Sequence, residues 1–298
     1  MKLVLRRGKA PSYLYDLVVI AFCLTFGLIC FYPLWYVFLG SISNAGSAAV
    51  QGIDILPPLK PFFGYYSTLM KGAVFQRAML VSVSITLIGS LGSVLLTGAM
   101  AYGCSKTKVK FMKFLNFYMV MTMFFGGGLI PTFLLIKNLH LYNTYWVLFI
   151  VHLLSAWNYI LMRNYFYHAI PSEIEDAGVV DGASEAGLFF RIIIPISMPL
   201  FATIFLFQAV AIWNDWFTYL IYVDDTQLQP FIVVLQRLLV DPNVFLRSQG
   251  VMIGYAGNMP ATALKMTTIM LAMIPILILY PFLQKYFTKG MLIGAVKG

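Results

Sequence analysis

The chain has 298 residues, of which 60% are hydrophobic and only 10% charged, with a net charge of +9. Soluble globular domains carry about 25% charged residues, so an ordinary soluble domain is excluded. The three histidines, His140, His152 and His168, are scattered without metal-ligand spacing, and no cysteine cluster supplements them.

Charge spacing sets the architecture. Residues 17–53, 78–105, 114–136, 192–214 and 266–284 contain no Asp, Glu, Lys or Arg, and 144–162 carries only His152. A spanning helix needs about 20 apolar residues, and lipid forces each span to satisfy its own backbone hydrogen bonds. The expectation is an all-α membrane protein, one domain over 1–298. Its six transmembrane helices are expected at 17–42, 77–104, 112–136, 144–168, 192–221 and 265–287.

In chain order, MKLVLRRGKA and the apolar run after it look at first like a secretory signal. The run is too long for one and five more follow, so it is read as an uncleaved first helix. Cys23 and Cys30 within it, and Cys104 at the end of the second span, are expected to be small buried apolar residues. The outer loop 43–76 contains LPPLKPFFGYY, whose prolines break a helix. In the second span Gly89, Gly92, Ser93 and Gly98 suggest close helix packing. A basic inner turn follows at 105–111. Gly126-Gly127-Gly128, before Pro131, reads as a helix break, since no P-loop Lys-Ser/Thr follows. After the short outer loop 137–143 and the fourth span comes an inner segment, 169–191. A second long outer loop, 222–264, contains PFIVVLQRLL, an amphipathic helix expected on the outer face.

Orientation follows from the cations. With the N-terminus inside, the inner segments hold Lys2, Arg6, Arg7, Lys9, Lys106, Lys108, Lys110, Lys113, Arg163, Arg191, Lys285, Lys289 and Lys297. That is 13 of the 20 Lys and Arg residues, against 7 on longer outer loops. The positive-inside rule puts both termini in the cytoplasm. Topology thus explains the basic balance, and nucleic-acid binding is not needed.

The stretch EIEDAGVVDGASEAGLFFRIIIP, 173–195, holds five of the eleven acidic residues: Glu173, Glu175, Asp176, Asp181 and Glu185. Ser172 and Glu175 have capping-box spacing after Pro171, and acid in a first turn complements the helix dipole. The expectation is a helix from 173, a turn near Asp181-Gly182 and a restart toward 190. Acidic side chains are unfavourable beside an anionic inner leaflet, which favours a protein-docking helix pair over a connector lying on the membrane.

DAGVVDGA (176–183), nine residues between Gly182 and Ile192, and then Ile194-Pro195 resemble the EAA loop of the membrane subunits of binding-protein-dependent ABC importers. YPLWYVFLGSIS (32–43), WNDWF (213–217) and QKYFTKGMLIGAVKG (284–298) look like the maltose-type sugar branch. GGGLIPTFLLIKNLHLYNTYW (126–146) is similar to its oligo- and polysaccharide group. Three positions depart from the loop's pattern: Asp176 for Glu, Gly178 for Ala and Ile194 for Leu.

The resemblance implies a coupling loop at 169–191 that docks in a cytoplasmic ATPase through Glu175, Asp176, Ala177, Gly178, Asp181, Gly182 and Ala183. It also implies a tail, with Gly290, Gly294 and Lys297, that enters the interface between two ATPases. Gly290, Gly294 and Gly298 recur every four residues, suggesting an extended tail close to another backbone. The implied partners are a second homologous permease, two ATPases, an external lipid-anchored sugar-binding protein and an oligosaccharide. ATP and Mg are bound by the ATPases, and this chain binds no cofactor. The implied location is a bacterial cytoplasmic membrane.

The chain has no Walker-type loop and no nucleophile–base constellation, so it is read as a permease and not an enzyme. Trp157, Asn158, Trp213, Asn214, Asp215 and Trp216 combine aromatic faces with polar groups and are the substrate-pathway candidates. The alternative is an ion-driven secondary transporter. For that, Asp16, Asp215 and His152 supply few intramembrane ionisable groups.

Overall fold

A computed structural model describes residues 11–43, 58, 60–106, 110–242 and 261–295. Among the described residues every regular element is helical. Three helices are long and apolar enough to cross a membrane, or up to five if each bent pair counts as one span.

The chain divides into two compact units. The first comprises residues 1–69 and 241–271, the second 70–240 and 272–298. In the first lies α1 (Pro11–Ile42), which tolerates Pro33 in its interior. The most apolar 18-residue window of this helix buries none of its residues. Phe22 and Leu28 stand 70% and 68% exposed, as suits a lipid-facing surface. Cys23 and Cys30 are exposed on this helix, against the expectation that they are buried; only Cys104 is. The C-terminal end of α1 is tied down. Ile42 O accepts from Phe62 N at 2.8 Å, and Ser41 Oγ shares a 2.6 Å hydrogen bond with Tyr66 Oη. Tyr66 belongs to α2 (Gly64–Lys71), which begins beyond the proline-rich segment.

The second unit is built on α3 (Ala73–Ser105), which at 1.5 Å per residue is about 50 Å long. Its principal neighbours are α7 (Ala156–Ala169) and α10 (Met198–Asn214). The small residues act as expected. A Cβ on Gly98 would lie 2.9 Å from Met162 Cε and from Phe201 Cε1, and one on Gly89 would lie 3.2 Å from Ile212 Cδ1.

The third, fourth and fifth expected spans are each broken. The third is α4 (Lys110–Phe124) and α5 (Leu129–Asn138), bent by 117° across the glycine triplet. Gly128 there has φ 83° and ψ 169°, a region essentially only glycine enters and that costs other residues about 1–3 kcal/mol. The fourth is a single turn, α6 (Val147–Ile150), then α7, whose start is capped by Ser155 Oγ accepting from Asn158 N at 3.3 Å. Ahead of the fifth, α9 (Glu185–Ile196) meets α10 at 85°. Asp215 then separates α10 from α11 (Trp216–Tyr222), its Oδ1 accepting from Thr218 N at 3.0 Å. Apolar length predicts how much chain a bilayer can hold, whereas these breaks come from local caps, prolines and glycines within the apolar runs.

The helix expected to lie on the outer face is α12 (Phe231–Val240). It packs on α3 and α11, with Phe231, Val233, Val234 and Leu238 buried and Phe231 N donating to Ser82 Oγ at 2.7 Å. The last helix, α13 (Ala261–Ala295), runs on through Gly290 and Gly294. The expected extended tail is thus helical as far as Ala295. A four-residue repeat also puts two glycines on one helix face, so their spacing does not require extended backbone. Lys297 and Gly298 lie outside the described residues.

Candidate functional site

At the C-terminal end of α3 the acidic segment folds as α8 (Ser172–Val180), a turn, and α9. The expected capping box does not form. Pro171, with its φ fixed near −65°, is the N-cap and offers no side-chain acceptor. Ser184 caps α9 instead, its Oγ accepting from Gly187 N at 3.1 Å, so the second helix starts at Glu185 and not near 190. Residues 189–193 widen into a π turn just before Pro195, which cannot donate to the helix ladder.

The glycines here have different jobs. Gly178 is buried, and a Cβ on it would sit 2.5 Å from Leu188 Cδ1, so its smallness lets α8 lie against α9. Gly182 has φ +77° and nothing of this chain within 4 Å of a would-be Cβ, so within the chain the turn requires its backbone and no neighbour limits its size. Of the other residues predicted for docking, Asp176, Ala177 and Asp181 are exposed, while Glu175 and Ala183 are half-buried. Sequence reasoning missed the apolar part of this surface: Val179, Val180 and Phe190 are 61%, 86% and 57% exposed. Exposed apolar side chains beside an acidic turn mark a candidate contact surface. Ala186, Gly187, Phe190 and Arg191 line a concave patch beside them.

Part of the acid is neutralised within the chain. Lys106 Nζ lies 2.9 Å from Glu185 Oε2 and 3.8 Å from Glu175 Oε2. Glu173, Asp176 and Asp181 remain exposed.

The six pathway candidates do not form one group. Trp213 is buried and donates from Nε1 to Ala272 O at 3.0 Å. Asn158 is buried and donates from Nδ2 to Gln208 Oε1 at 2.9 Å, while Gln208 Nε2 donates to His152 O at 2.9 Å. Asp215 Oδ2 is 3.3 Å from His152 Nε2. A polar group inside an apolar bundle costs free energy unless it is hydrogen-bonded, and these contacts join the breaks in the fourth and fifth spans. Trp157 (58% exposed) and Asn214 face outward, and Trp216 is half-buried.

At the opposite end of α3, Asn143 (φ 55°) accepts at Oδ1 from Asp224 N at 3.0 Å and Asp225 N at 2.8 Å. Its own N–H donates to Tyr222 O at 2.9 Å, and Tyr142 Oη donates to Asp224 Oδ2 at 2.5 Å.

No protein-family model matches the chain. Curated relatives do. It is 38% identical over 287 residues to the polygalacturonan/rhamnogalacturonan transport system permease protein YtcP of Bacillus subtilis (strain 168), covering 96% of this chain and 99% of that one. It is 37% identical to protein LplC of the same organism, over 95% of each. Among solved structures, a bacterial ABC transporter involved in the import of the acidic polysaccharide alginate has a chain that superposes with a TM-score of 0.85. The two are 29% identical, with 94% of this chain and 99% of that one covered. A chain of the bacterial alginate ABC transporter in complex with alginate pentasaccharide-bound periplasmic protein shares the fold, at a TM-score of 0.54 and 13% identity over 92% and 93% of the two chains. With such identity sustained over nearly its whole length, the chain belongs to the permease subunits of carbohydrate ABC importers: it is a multi-pass membrane protein and not an enzyme.

Proposed function

We propose that this chain is one of two translocation subunits of an ATP-driven oligosaccharide importer, with α8 and α9 docking in a cytoplasmic ATPase. The observation that carries the reading is the surface around the Gly182 turn. Exposed Asp176 and Asp181 flank the exposed Val179 and Val180, a combination suited to a cleft that is apolar at its base and basic at its rim. Glu175, Ala177 and Ala183 belong to the same surface, and Gly178 serves it by holding the helix pair together. Gly290, Gly294 and Lys297 form a second contact, at the interface of two ATPases. ATP and Mg are bound by those ATPases and no cofactor by this chain. Their closure draws the docking helices of the two permeases together and shifts the population from outward- to inward-facing.

The importer lies in a bacterial cytoplasmic membrane with both termini and α8–α9 inside, and an external lipid-anchored protein delivers the sugar. Side-chain contacts agree with six spans of alternating direction: the turn after α3 meets α8 and α9 through Lys106, and the 137–143 loop meets residues 222–225 through Asn143. Trp157, Asn214 and Trp216 are the pathway residues with surface to offer a sugar. Asn158, Trp213 and Asp215 hold the helix breaks in place behind them. Family membership displaces the ion-driven alternative.

The test is cross-linking. A cysteine at Val180 should form an adduct with a co-expressed ATPase subunit on addition of a short bifunctional thiol reagent, and one at Asn143 should not. Adducts from Asn143 alone would reverse the topology and end the docking assignment. Uptake assays with neutral and uronate-containing oligosaccharides then identify the cargo; both YtcP and the alginate importer are named for acidic polysaccharides.

A further inference from the structure

In the sequence Lys106 is one basic residue among those that orient the chain. In the structure it is where α3 meets both arms of the acidic helix pair. It directly follows α3, and its backbone N–H bonds back to Gly103 O at 3.4 Å. Its ammonium lies 2.9 Å from Glu185 Oε2, at the start of α9, and 3.8 Å from Glu175 Oε2, on α8. The same nitrogen sits 4.7 Å from the centroid of the Tyr102 ring. Tyr102 in turn stacks on Phe189 of the π turn, with centroids 5.6 Å apart and planes 27° from parallel, and meets Phe166 of α7 edge-on at 5.7 Å.

An isolated surface ion pair holds its partners weakly. This one differs in three respects. The lysine side chain is only 27% exposed, it touches two carboxylates and a ring at once, and it stands at a helix C-terminus, where a cation is favoured. The aromatic stack fixes α9 against α3, while the ammonium reaches across to Glu175 of α8 from that end of the span.

We propose that Lys106 is a positioning residue that fixes the angle between the α8–α9 pair and α3, so that a partner displacing the pair also moves the span. The inference rests on the docking reading above. A residue that served only orientation would be replaceable by its basic neighbours Lys108, Lys110 and Lys113. A link between two rigid elements would not.

The complete complex, reconstituted with spin labels at Glu173 of α8 and Leu91 of α3 in a background lacking Cys23, Cys30 and Cys104, reports the link directly. Pulsed electron-spin distances are compared between the nucleotide-free and the ATP–vanadate-trapped states. A fixed angle keeps the two labels together, so the wild type should show little ATP-driven distance change. Lys106→Met should enlarge that change about threefold or more without reducing the ATPase that co-purifies, and Lys106→Arg should keep it small. Glu185→Gln should also enlarge it and add little on top of Lys106→Met, as expected for two ends of one contact. A distance change in Lys106→Met no larger than in the wild type, or fully additive effects of the two substitutions, overturns the inference. Failure of the docking reading looks different: the wild type would then retain no ATPase.

Discussion

The two ends of α3 are finished differently. At one, Asn143 and Tyr142 close on Tyr222, Asp224 and Asp225 through four hydrogen bonds within 3.0 Å, most of them to backbone. The aromatic faces of Phe133, Tyr142 and Tyr222 pack beneath. At the other, one ammonium serves two carboxylates, the exposed Glu173, Asp176 and Asp181 form no salt bridge among the described residues, and apolar Val179, Val180 and Phe190 project outward. The first end is satisfied within the chain. The second has surface left over, which is the surface the proposed docking would cover. Burial alone does not separate the two ends, since both lie beside a buried core cluster.

The comparison can be broken most severely at Gly178. Leucine there drives a side chain into Leu188, at a cost of about 1–3 kcal/mol for overpacking, so Gly178→Leu should separate α8 from α9. Its midpoint in a detergent thermal-shift assay should fall, and ATPase retention should be lost with it. If the midpoint is unchanged, the pair is not held by that contact.

A smaller effect is expected at the satisfied end. Asn143→Ala removes a double acceptor and puts alanine at positive φ, which together cost about 1–2 kcal/mol. Asn143→Gly removes the acceptor but relieves the backbone, so its thermal midpoint should fall between alanine and wild type. Neither change should affect ATPase retention. A loss of retention in either would mean that the two ends are not separable as described.

Gly182 sharpens the comparison, because the free space around it and its left-handed backbone predict opposite outcomes for one pair of substitutions. Asparagine tolerates positive φ better than alanine, although it is larger. Gly182→Asn should therefore retain more ATP hydrolysis in the assembled complex than Gly182→Ala. The reverse order would show that size, set by the docked partner, is what matters at the turn.

The smallest effect concerns Tyr142. Its hydrogen bond to Asp224, with lesser help from desolvation, raises the phenol above its ordinary pKa. A raised folded-state pKa means the contribution is fully present below the unfolded value of about 10 and is lost as pH rises through the folded value. Tyr142→Phe should thus lower the thermal midpoint slightly at neutral pH, and the difference from wild type should vanish in strong alkali. A constant difference across that range would assign the effect to packing.

Much was legible in the chain itself. Charge-free runs of spanning length are a one-dimensional property, because lipid penalises any charge along them wherever the helices end up. The acidic stretch, its turn at Asp181-Gly182 and the glycine-triplet break were legible for a similar reason: dipole complementarity, positive φ and broken ladders act within a few residues. Tertiary structure decided what depends on neighbours distant in sequence. It committed Trp213 and Asn158 to Ala272 and Gln208, turned α12 onto α3 and α11, packed Gly178 against Leu188, and brought Lys106 to Glu175 and Glu185, some 70 to 80 residues away in sequence. A residue type shows what a side chain can bond to, and only the packed fold determines which partner comes within 3 Å of it.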